Sequence, residues 1–326
     1  MDYQALRHSA REALGKAPYP PKRLALIHVG ATLLVSLLMT LVNFFLARSY
    51  NAATGLGNAD QRAILETVQL VLNLVNLVIS PLWSIGFMAV ALRTARWSNA
   101  EPRDLLDGFR CWGTVLRLYL LLIGIAFLLM FAVVQVSSIL LAVSGLSRGV
   151  TNVLLEVQEQ GGDPYLYLSE NMLMPQMIPV FVVFFGLAAA LAIPLFYRIR
   201  MAFFAVAEGE TSARAAIGRS FRLTRGKAFS LFKIDLRFWW YYGALLLVGC
   251  LTSTESLLNL FGISLPLSDN MILYGSYGIY LVLNLLLCWQ WSLSVRTTYA
   301  LCYDRLKAEL PPQPQTPPWN QSNSEQ

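Results

Sequence analysis

The sequence predicts an all-α protein, a polytopic membrane helical bundle of six transmembrane helices with cytoplasmic interfacial amphipathic helices. Three observations lead to this prediction. Hydrophobic residues make up 56% of the 326 residues and charged residues only 13%, whereas an average soluble domain is about 25% charged. The apolar residues come in long runs, and the lysines and arginines gather between alternate runs. Together these features exclude an ordinary soluble enzyme.

Six apolar runs are long enough, or nearly so, to cross a hydrocarbon layer about 30 Å thick with about 20 helical residues. The predicted spans are residues 24–47, 67–92, 118–143, 176–197, 228–251 and 271–295. The first run is too long and begins too late for a signal peptide, so we interpret it as a retained span. In the fifth, Lys233, Asp235 and Arg237 move the expected start of the hydrocarbon part to near Phe238.

The distribution of basic residues predicts the orientation of the chain. All but three of the 25 lysines and arginines fall in residues 1–23, 93–117, 198–237 and 296–326. Basic segments of this kind stay on the cytoplasmic side, which places both termini there. The intervening loops are acidic instead, through Glu156, Glu159, Asp163, Glu170, Glu255 and Asp269. The net charge of +6 therefore reflects membrane orientation, and we expect no nucleic-acid partner.

An amphipathic stretch precedes the first, third and fifth spans. The apolar positions of each stretch share one helical face: Tyr3, Leu6, Ala10, Ala13 and Leu14; Leu105, Leu106, Phe109 and Trp112; Ala213, Ile217, Ser220, Phe221 and Thr224. Thr211 is the expected N-cap of the last stretch, and Gly113 and Gly226 are the expected helix ends. Helices of this type lie in the headgroup layer.

Each even span also ends on an arginine: Arg93, Arg198 and Arg296. Two interpretations are open. One is a threefold hairpin repeat, in which each unit carries one interfacial helix. The other is that any protein of arginine-flanked hairpins has this pattern. In either case residues 1–310 form one membrane domain, and the proline-rich residues 311–326 form a disordered cytoplasmic tail.

Several segments carry a resemblance to a known family. They are YRIRMAFF at 197–204, AAIGRSFRLTRGK at 215–227, LFKIDLRF at 231–238, AREAL at 10–14, Pro81-Leu82 with Gly86, Asp107-Gly108-Phe109, and YALCY at 299–303. Over residues 1–310 the chain resembles the bacterial integral-membrane family catalogued as domain of unknown function nine hundred and seventy-five. The aromatic run at 239–242 and the long loop at 144–175 depart from the family pattern.

The resemblance implies a helical fold in a bacterial cytoplasmic membrane and no particular activity. The family is distantly similar to the membrane portion of glycerophosphodiester phosphodiesterases. Their chemistry is not carried over, because the histidines and acidic metal ligands of their hydrolase domain are missing from this sequence, whose only histidines are His8 and His28. We interpret His28, one turn inside the cytoplasmic interface, as a satisfied interfacial residue.

Catalytic and metal-binding patterns do not occur in the sequence. It contains no glycine-rich phosphate loop, no His-x-x-x-His, no Gly-x-Ser-x-Gly and no aspartate-rich metal motif. The four cysteines have spacings that fit neither a disulfide framework nor a Cys-x-x-Cys metal site. We therefore expect no enzyme activity, no catalytic residues, no cofactor and no metal.

One candidate site is a polar seam along the second span. Its members recur every three or four residues and are joined by one residue of the sixth span: Gln69, Asn73, Asn76, Ser80 and Asn284. Polar side chains within a membrane usually face the bundle interior or a wet cavity. The seam predicts either a substrate or ion path or simple interhelical hydrogen bonding. Pro81 is expected to break this helix near its cytoplasmic half.

The other candidate site is the densest basic cluster: Arg219, Arg222, Arg225, Lys227, Lys233 and Arg237. Near anionic lipid each basic residue contributes about 1 kcal/mol of binding. The cluster predicts recognition of lipid headgroups, with ordinary membrane anchoring as the other interpretation. We expect a non-enzymatic module whose cytoplasmic face interacts with anionic membrane lipids or with a membrane-protein partner. The alternative is a transporter or channel lined by the polar seam.

Overall fold

The computed structural model describes residues 3–56, 59–145, 147–159, 178–254, 258 and 269–310. This part of the chain is helical nearly throughout and contains no β-strand. Some sequence predictions fall on other residues: the tail at 311–326, the loop carboxylates Asp163, Glu170 and Glu255, and the first two residues of the predicted fourth span lie outside the described residues.

The described elements follow the chain as long helices joined by short ones. They are α1 (Tyr3–Lys16), α2 (Pro21–Leu56), α3 (Ala59–Ala95), a 3₁₀ turn (Pro102–Leu106), α4 (Asp107–Arg110), α5 (Trp112–Ser144), α6 (Ser147–Glu159), α7 (Ile178–Ala207), α8 (Ala213–Leu223), α9 (Ala228–Arg237), α10 (Trp239–Cys250), a second 3₁₀ turn (Leu251–Ser253) and α11 (Asp269–Ala308).

Five of these helices, α2, α3, α5, α7 and α11, are long and apolar enough to cross a membrane, and α9 with α10 forms a bent sixth. The bend is 67° and falls at Phe238, where the sequence places the start of the hydrocarbon part. Large apolar side chains such as Phe127 and Phe185 are more than half exposed. Such a surface is compatible with a multi-pass membrane protein.

The helices pack tightly at one end of the bundle, which we call the packed end. Its buried side chains include Leu6, Leu24, Ile85, Phe87, Leu118, Met201, Phe204, Tyr299 and Tyr303. The helix α3 is central, because it contacts α1, α2, α4, α5, α7 and α11. Toward the other end, most described side chains of α5, α7 and α11 are exposed or only partly buried.

The amphipathic helices cover the packed end with their apolar faces. In α1, Leu6, Ala10 and Ala13 are buried, and this helix contacts α3 and α11. In α8, Ala213 and Ser220 are likewise buried. The stripes predicted for these two helices therefore pack against protein. The middle stripe is divided: Leu105 is buried, whereas Leu106, Phe109 and Trp112 are exposed.

Three local predictions were wrong. The N-cap of α8 is Ser212, whose hydroxyl accepts a hydrogen bond from the Ala215 amide, and not the adjacent Thr211. Gly113 lies inside α5, because the chain turns two residues earlier, at Cys111. The helix α3 continues through Pro81, since a membrane helix tolerates the loss of one backbone hydrogen bond. Gly226 does adopt the expected left-handed conformation, with φ of 71°.

The segment that contains the first 3₁₀ turn and α4 lies directly on the backbone of α3. A Cβ atom added to Gly86 would lie 1.9 Å from the carbonyl oxygen of Leu105, and one added to Gly108 would lie 1.9 Å from that of Leu82. At both positions there is room for the hydrogen atom of glycine but not for a Cβ atom. The segment is also held by Arg93, whose guanidinium pairs with the carboxylates of Asp104 and Asp107.

Candidate functional site

Two adjoining cavities lie within the packed end. The first, which we call the central cavity, has a volume of about 550 Å³, and the second, between α2 and α3, has about 650 Å³. Five residues line both cavities: His28, Thr32, Ser36, Ser84 and Arg296. Volumes of this size are typical of small-molecule sites.

The wall of the central cavity combines cationic and hydroxyl groups with apolar side chains. Two guanidiniums line it, those of Arg200 and Arg296, and tyrosines from α5, α10 and α11 surround them. Among the described residues, no aspartate or glutamate lines either cavity. The polar groups of the wall are thus mainly hydrogen-bond donors or carry positive charge.

Asp235 of α9 neutralises one of these guanidiniums from behind the wall. One of its oxygens accepts hydrogen bonds from Arg200 Nη1 and from the Tyr197 hydroxyl, each at 2.7 Å, and the other accepts from the Tyr299 hydroxyl. The Arg200 guanidinium also lies 3.5 Å from the centre of the Tyr299 ring and donates to Tyr242. Asp235 therefore joins α9 to α7 and α11.

The sequence places Asp235 between Lys233 and Arg237. The structure pairs it with Arg200 rather than with these neighbours, because residues two apart on a helix point to different sides and cannot meet.

His28 lies in an aromatic stack on the wall of both cavities. Its ring is parallel to those of Phe87, with centroids 3.9 Å apart, and Trp83, at 5.6 Å. The indole nitrogen of Trp83 donates to the His28 carbonyl oxygen. His28 Nδ1, however, is buried and has no hydrogen-bond partner in the described part of the chain, so no described residue supplies the contact that a satisfied histidine needs.

The polar seam is divided by the structure. Asn76 and Ser80 line the second cavity and Asn284 lines the central one, where its side-chain oxygen accepts from Cys288 Sγ at 3.2 Å. Gln69 and Asn73 line neither cavity. The opposite polar wall comes from Thr32, Ser36 and Thr40 of α2, which sequence reasoning missed although their spacing of four was a usable signal.

The basic cluster also divides into two groups. Arg219 pairs with Glu208 at 3.0 Å, and Lys227 pairs with Glu309, so these two cations are engaged within the protein. The remaining four are exposed and form no ion pair with any described residue. We call them the basic patch: Arg222, Arg225, Lys233 and Arg237.

Glu208, directly after α7, connects three other helices at the packed end. Its Oε1 atom receives hydrogen bonds from Arg96, directly after α3, at 2.6 Å and from Lys307 of α11 at 2.8 Å. Its Oε2 atom receives them from Arg219 of α8 at 3.0 Å and Tyr303 of α11 at 2.8 Å. Burial alone would raise the pKa of Glu208, but the hydrogen bonds from Lys307, Arg96 and Tyr303 outweigh it and lower the pKa to about 2.

We expect the Glu208→Gln variant to be less stable than the wild type by about 2 kcal/mol at neutral pH, after allowance for solvent screening of the charge. Because folding lowers the pKa of Glu208 from 4.5 to about 2, this contribution is present above about pH 4.5 and is lost as the pH falls toward 2. Thermal unfolding in detergent at pH 7, 4.5 and 3 should show that the difference in Tm between the wild type and Glu208→Gln narrows as the pH falls. Glu210→Gln is the matched control, since Glu210 forms no ion pair with a described residue; a gap that does not narrow with falling pH would contradict the assignment.

Sequence reasoning did not single out Arg200, Arg296 or Glu208 as site residues. Arg296 was visible as the arginine that ends the sixth span, but nothing local distinguished it from Arg93 or Arg198. The difference lies in their partners. Arg93 pairs with two carboxylates and Arg198 lies over the Phe221 ring at an exposed position, whereas Arg296 faces the central cavity.

No protein-family model, curated protein or solved structure matches the chain. The family resemblance of the sequence therefore stays a prediction, and the function has to be argued from the site.

Proposed function

We propose that this protein is a non-enzymatic module of a bacterial cytoplasmic membrane that binds anionic membrane lipids with its packed end. In this orientation the packed end and both chain termini face the cytoplasm. The proposal keeps the lipid interaction that the sequence predicts and assigns it to the four residues of the basic patch. A membrane-protein partner at the same face is the competing ligand.

The exposed face of α9 is the observation that carries the proposal. Leu231 and Ile234 point into the core, whereas Phe229 and Phe232 are exposed beside the basic patch, and Lys233 Nζ lies 4.9 Å from the centre of the Phe229 ring. Aromatic and basic side chains on one exposed helical face are typical of helices that lie in the headgroup layer. The 67° bend between α9 and α10 suits a chain that turns from the interface into the bilayer.

The electrostatics of the packed end support an anionic ligand. Three of its carboxylates are already engaged in ion pairs, Asp235 with Arg200, Glu208 with several cations and Glu309 with Lys227. They contribute little negative potential to the surface. The charge of the basic patch is thus available to lipid phosphates, at about 1 kcal/mol for each residue near the membrane surface.

The positive-inside bias of the sequence supports the orientation. The exposed apolar residues of the middle stripe, Leu106, Phe109 and Trp112, suit contact with the same headgroup layer. The buried faces of α1 and α8 give these helices a different part in the proposal: they fix the packed end, and α8 carries Arg222 of the basic patch on its outer side. A hairpin repeat would account for the recurrence of such helices before alternate spans.

The test neutralises the basic patch. In nanodiscs of mixed phosphatidylglycerol and phosphatidylcholine, we expect the wild type to enrich phosphatidylglycerol around itself. The variant Arg222→Gln/Arg225→Gln/Lys233→Gln/Arg237→Gln should lose this enrichment by more than about tenfold, since a factor of ten is about 1.4 kcal/mol and each lost headgroup contact contributes about 1 kcal/mol. Lipid composition is measured by mass spectrometry of the purified discs, and 0.5 M salt should weaken the wild-type enrichment as well.

The matched control removes four exposed charges elsewhere at the packed end, at Arg11, Arg23, Arg103 and Arg305. This variant has the same net charge as the first but an intact basic patch. Equal loss in the two variants would refute the patch as the binding surface. Unchanged enrichment in the patch variant would refute lipid binding by this face.

The transport alternative has less support from the geometry. A path along the second span needs the whole seam, but Gln69 and Asn73 line neither cavity. The two cavities lie within the packed end, where α3 contacts all its neighbours.

A further inference from the structure

The central cavity contains a guanidinium that no carboxylate neutralises. Arg296 forms no ion pair or hydrogen bond with any described residue, and its Cζ atom lies 5.0 Å from the centre of the Phe87 ring. Arginine stays charged in proteins, and an enclosed charge without a partner is costly. Arg200, on the same wall, does not carry this cost, because Asp235 neutralises its guanidinium.

The groups around Arg296 are arranged as hydrogen-bond donors. The hydroxyls of Tyr119 and Tyr242 belong to the same wall. The hydroxyl of Ser292, one helical turn before Arg296, is buried and has no hydrogen-bond partner among the described residues. The same is true of Nδ1 of His28. Buried polar atoms are nearly always hydrogen-bonded in folded proteins. Two such atoms beside an unpaired cation indicate a ligand that supplies negative charge and several acceptor oxygens.

The rest of the wall is apolar and reaches the surface of the bundle. Phe196 lines the cavity and is itself 55% exposed, so the cavity opens beside α7. Leu33 and Leu245 continue this apolar wall. Arg296 directly follows the apolar run of the sixth span, a depth at which lipid phosphates lie. The site therefore offers a charged inner end and an apolar exit toward the bilayer.

We propose that the central cavity binds the phosphate group of one anionic phospholipid, with Arg296 as its principal cationic contact and the acyl chains leaving past Phe196. The inference rests on the lipid-binding function proposed above but assigns a second, internal site. Arginine is suited to this role because its planar donors match phosphate oxygens in pairs.

The test measures tightly held lipid in protein purified in detergent and washed free of loosely bound lipid. By native mass spectrometry we expect wild-type protein to retain one phosphatidylglycerol. Arg296→Gln should lower this occupancy by about tenfold, the loss expected for one charge-assisted hydrogen-bonding partner. Added phosphatidylglycerol should raise the Tm of the wild type and leave that of Arg296→Gln unchanged.

A second variant keeps the test decisive if Arg296→Gln fails to fold. Ser292→Asp places a carboxylate on the same helical face as Arg296, four residues before it, and supplies the missing internal partner. We expect this variant to fold, to melt no lower than the lipid-free wild type and to lose the bound lipid. Ser292→Asn is its matched control, with similar size and no charge, and should retain the lipid.

The outcomes separate the sources of phosphate and the two sites. If inorganic phosphate raises the Tm as much as phosphatidylglycerol does, the ligand is a soluble ion and the lipid assignment is wrong. If Arg296 is only structural, Ser292→Asp keeps the lipid and the inference fails. The basic-patch variant should lose the surface enrichment and retain the internal lipid. If it keeps the enrichment, the patch proposal alone fails, and if the wild type retains no lipid while the patch variant behaves as expected, the cavity site alone fails.

Discussion

We expect the Asp235→Asn variant to lose about 3–5 kcal/mol of unfolding free energy, the usual cost of removing one partner from a buried ion pair. Asp235 and Arg200 are both mostly buried, with 17% and 16% of their side chains exposed. Asparagine keeps the shape but leaves the Arg200 guanidinium without a counter-charge. It also weakens the hydrogen bonds from Tyr197 and Tyr299, so that α7, α9 and α11 lose a common contact.

Thermal and denaturant unfolding in detergent measure this effect. Glu12→Gln is the matched control, since Glu12 pairs only with Lys16 on an exposed helix surface, where an ion pair contributes little. In a background of Arg200→Met, Asp235→Asn should lower the unfolding free energy much less, because the guanidinium that it would leave without a counter-charge is no longer present. A stability close to that of the Glu12→Gln control, or the same cost in both backgrounds, would disprove the coupling.

We expect Gly86→Ala to destabilise the protein by at least about 1–3 kcal/mol, the usual cost of overpacking. The new Cβ atom would lie 1.9 Å from the carbonyl oxygen of Leu105, and the obstacle is backbone, which cannot rotate away as a side chain can. The segment with α4 must then lift from α3. Gly108→Ala should have a similar effect, since its Cβ would meet the carbonyl oxygen of Leu82.

Gly124→Ala is the control for this pair. Gly124 lies in α5, and a Cβ there would have no neighbour within 4 Å. Alanine is the better helix former by about 1 kcal/mol, so this variant should match or exceed the wild type in Tm. If Gly86→Ala melted at the same temperature as Gly124→Ala, the close approach of the two backbones would be contradicted.

The helical fold and its apolar spans were predictable because membrane helices are defined by composition. A run such as 118–143 needs no partner to be recognised, and it lies wholly within α5. Polar flanks carry no such signal, so the sequence does not predict where a helix ends once it continues beyond the apolar run, as α11 does to Ala308. The N-cap of α8 was missed by one residue, since Thr211 and Ser212 offer the same hydroxyl chemistry.

The site was much less predictable, because its properties depend on which residues meet in space. Asp235 and Arg200 are 35 residues apart, and no local pattern in the sequence joins them. The basic cluster was recognised as a group, but only the structure separates Arg219, engaged with Glu208, from exposed Arg222. The absence of an ion-pair partner for Arg296 among the described residues is a property of the assembled bundle and leaves no trace in the local sequence.

The contacts of the packed end also determine how the protein responds to the membrane around it. Most described side chains of α5 and α7 away from that end are exposed or only partly buried, so we expect these segments to tilt at less cost in internal packing than the packed end. Helices adjust to hydrophobic mismatch by tilting, at a modest cost. In a thinner bilayer we expect the far ends of these helices to spread while the packed end stays unchanged. We therefore expect bilayer thickness to change the tilt of the far parts of α5 and α7 and to leave the packing of the packed end as it is.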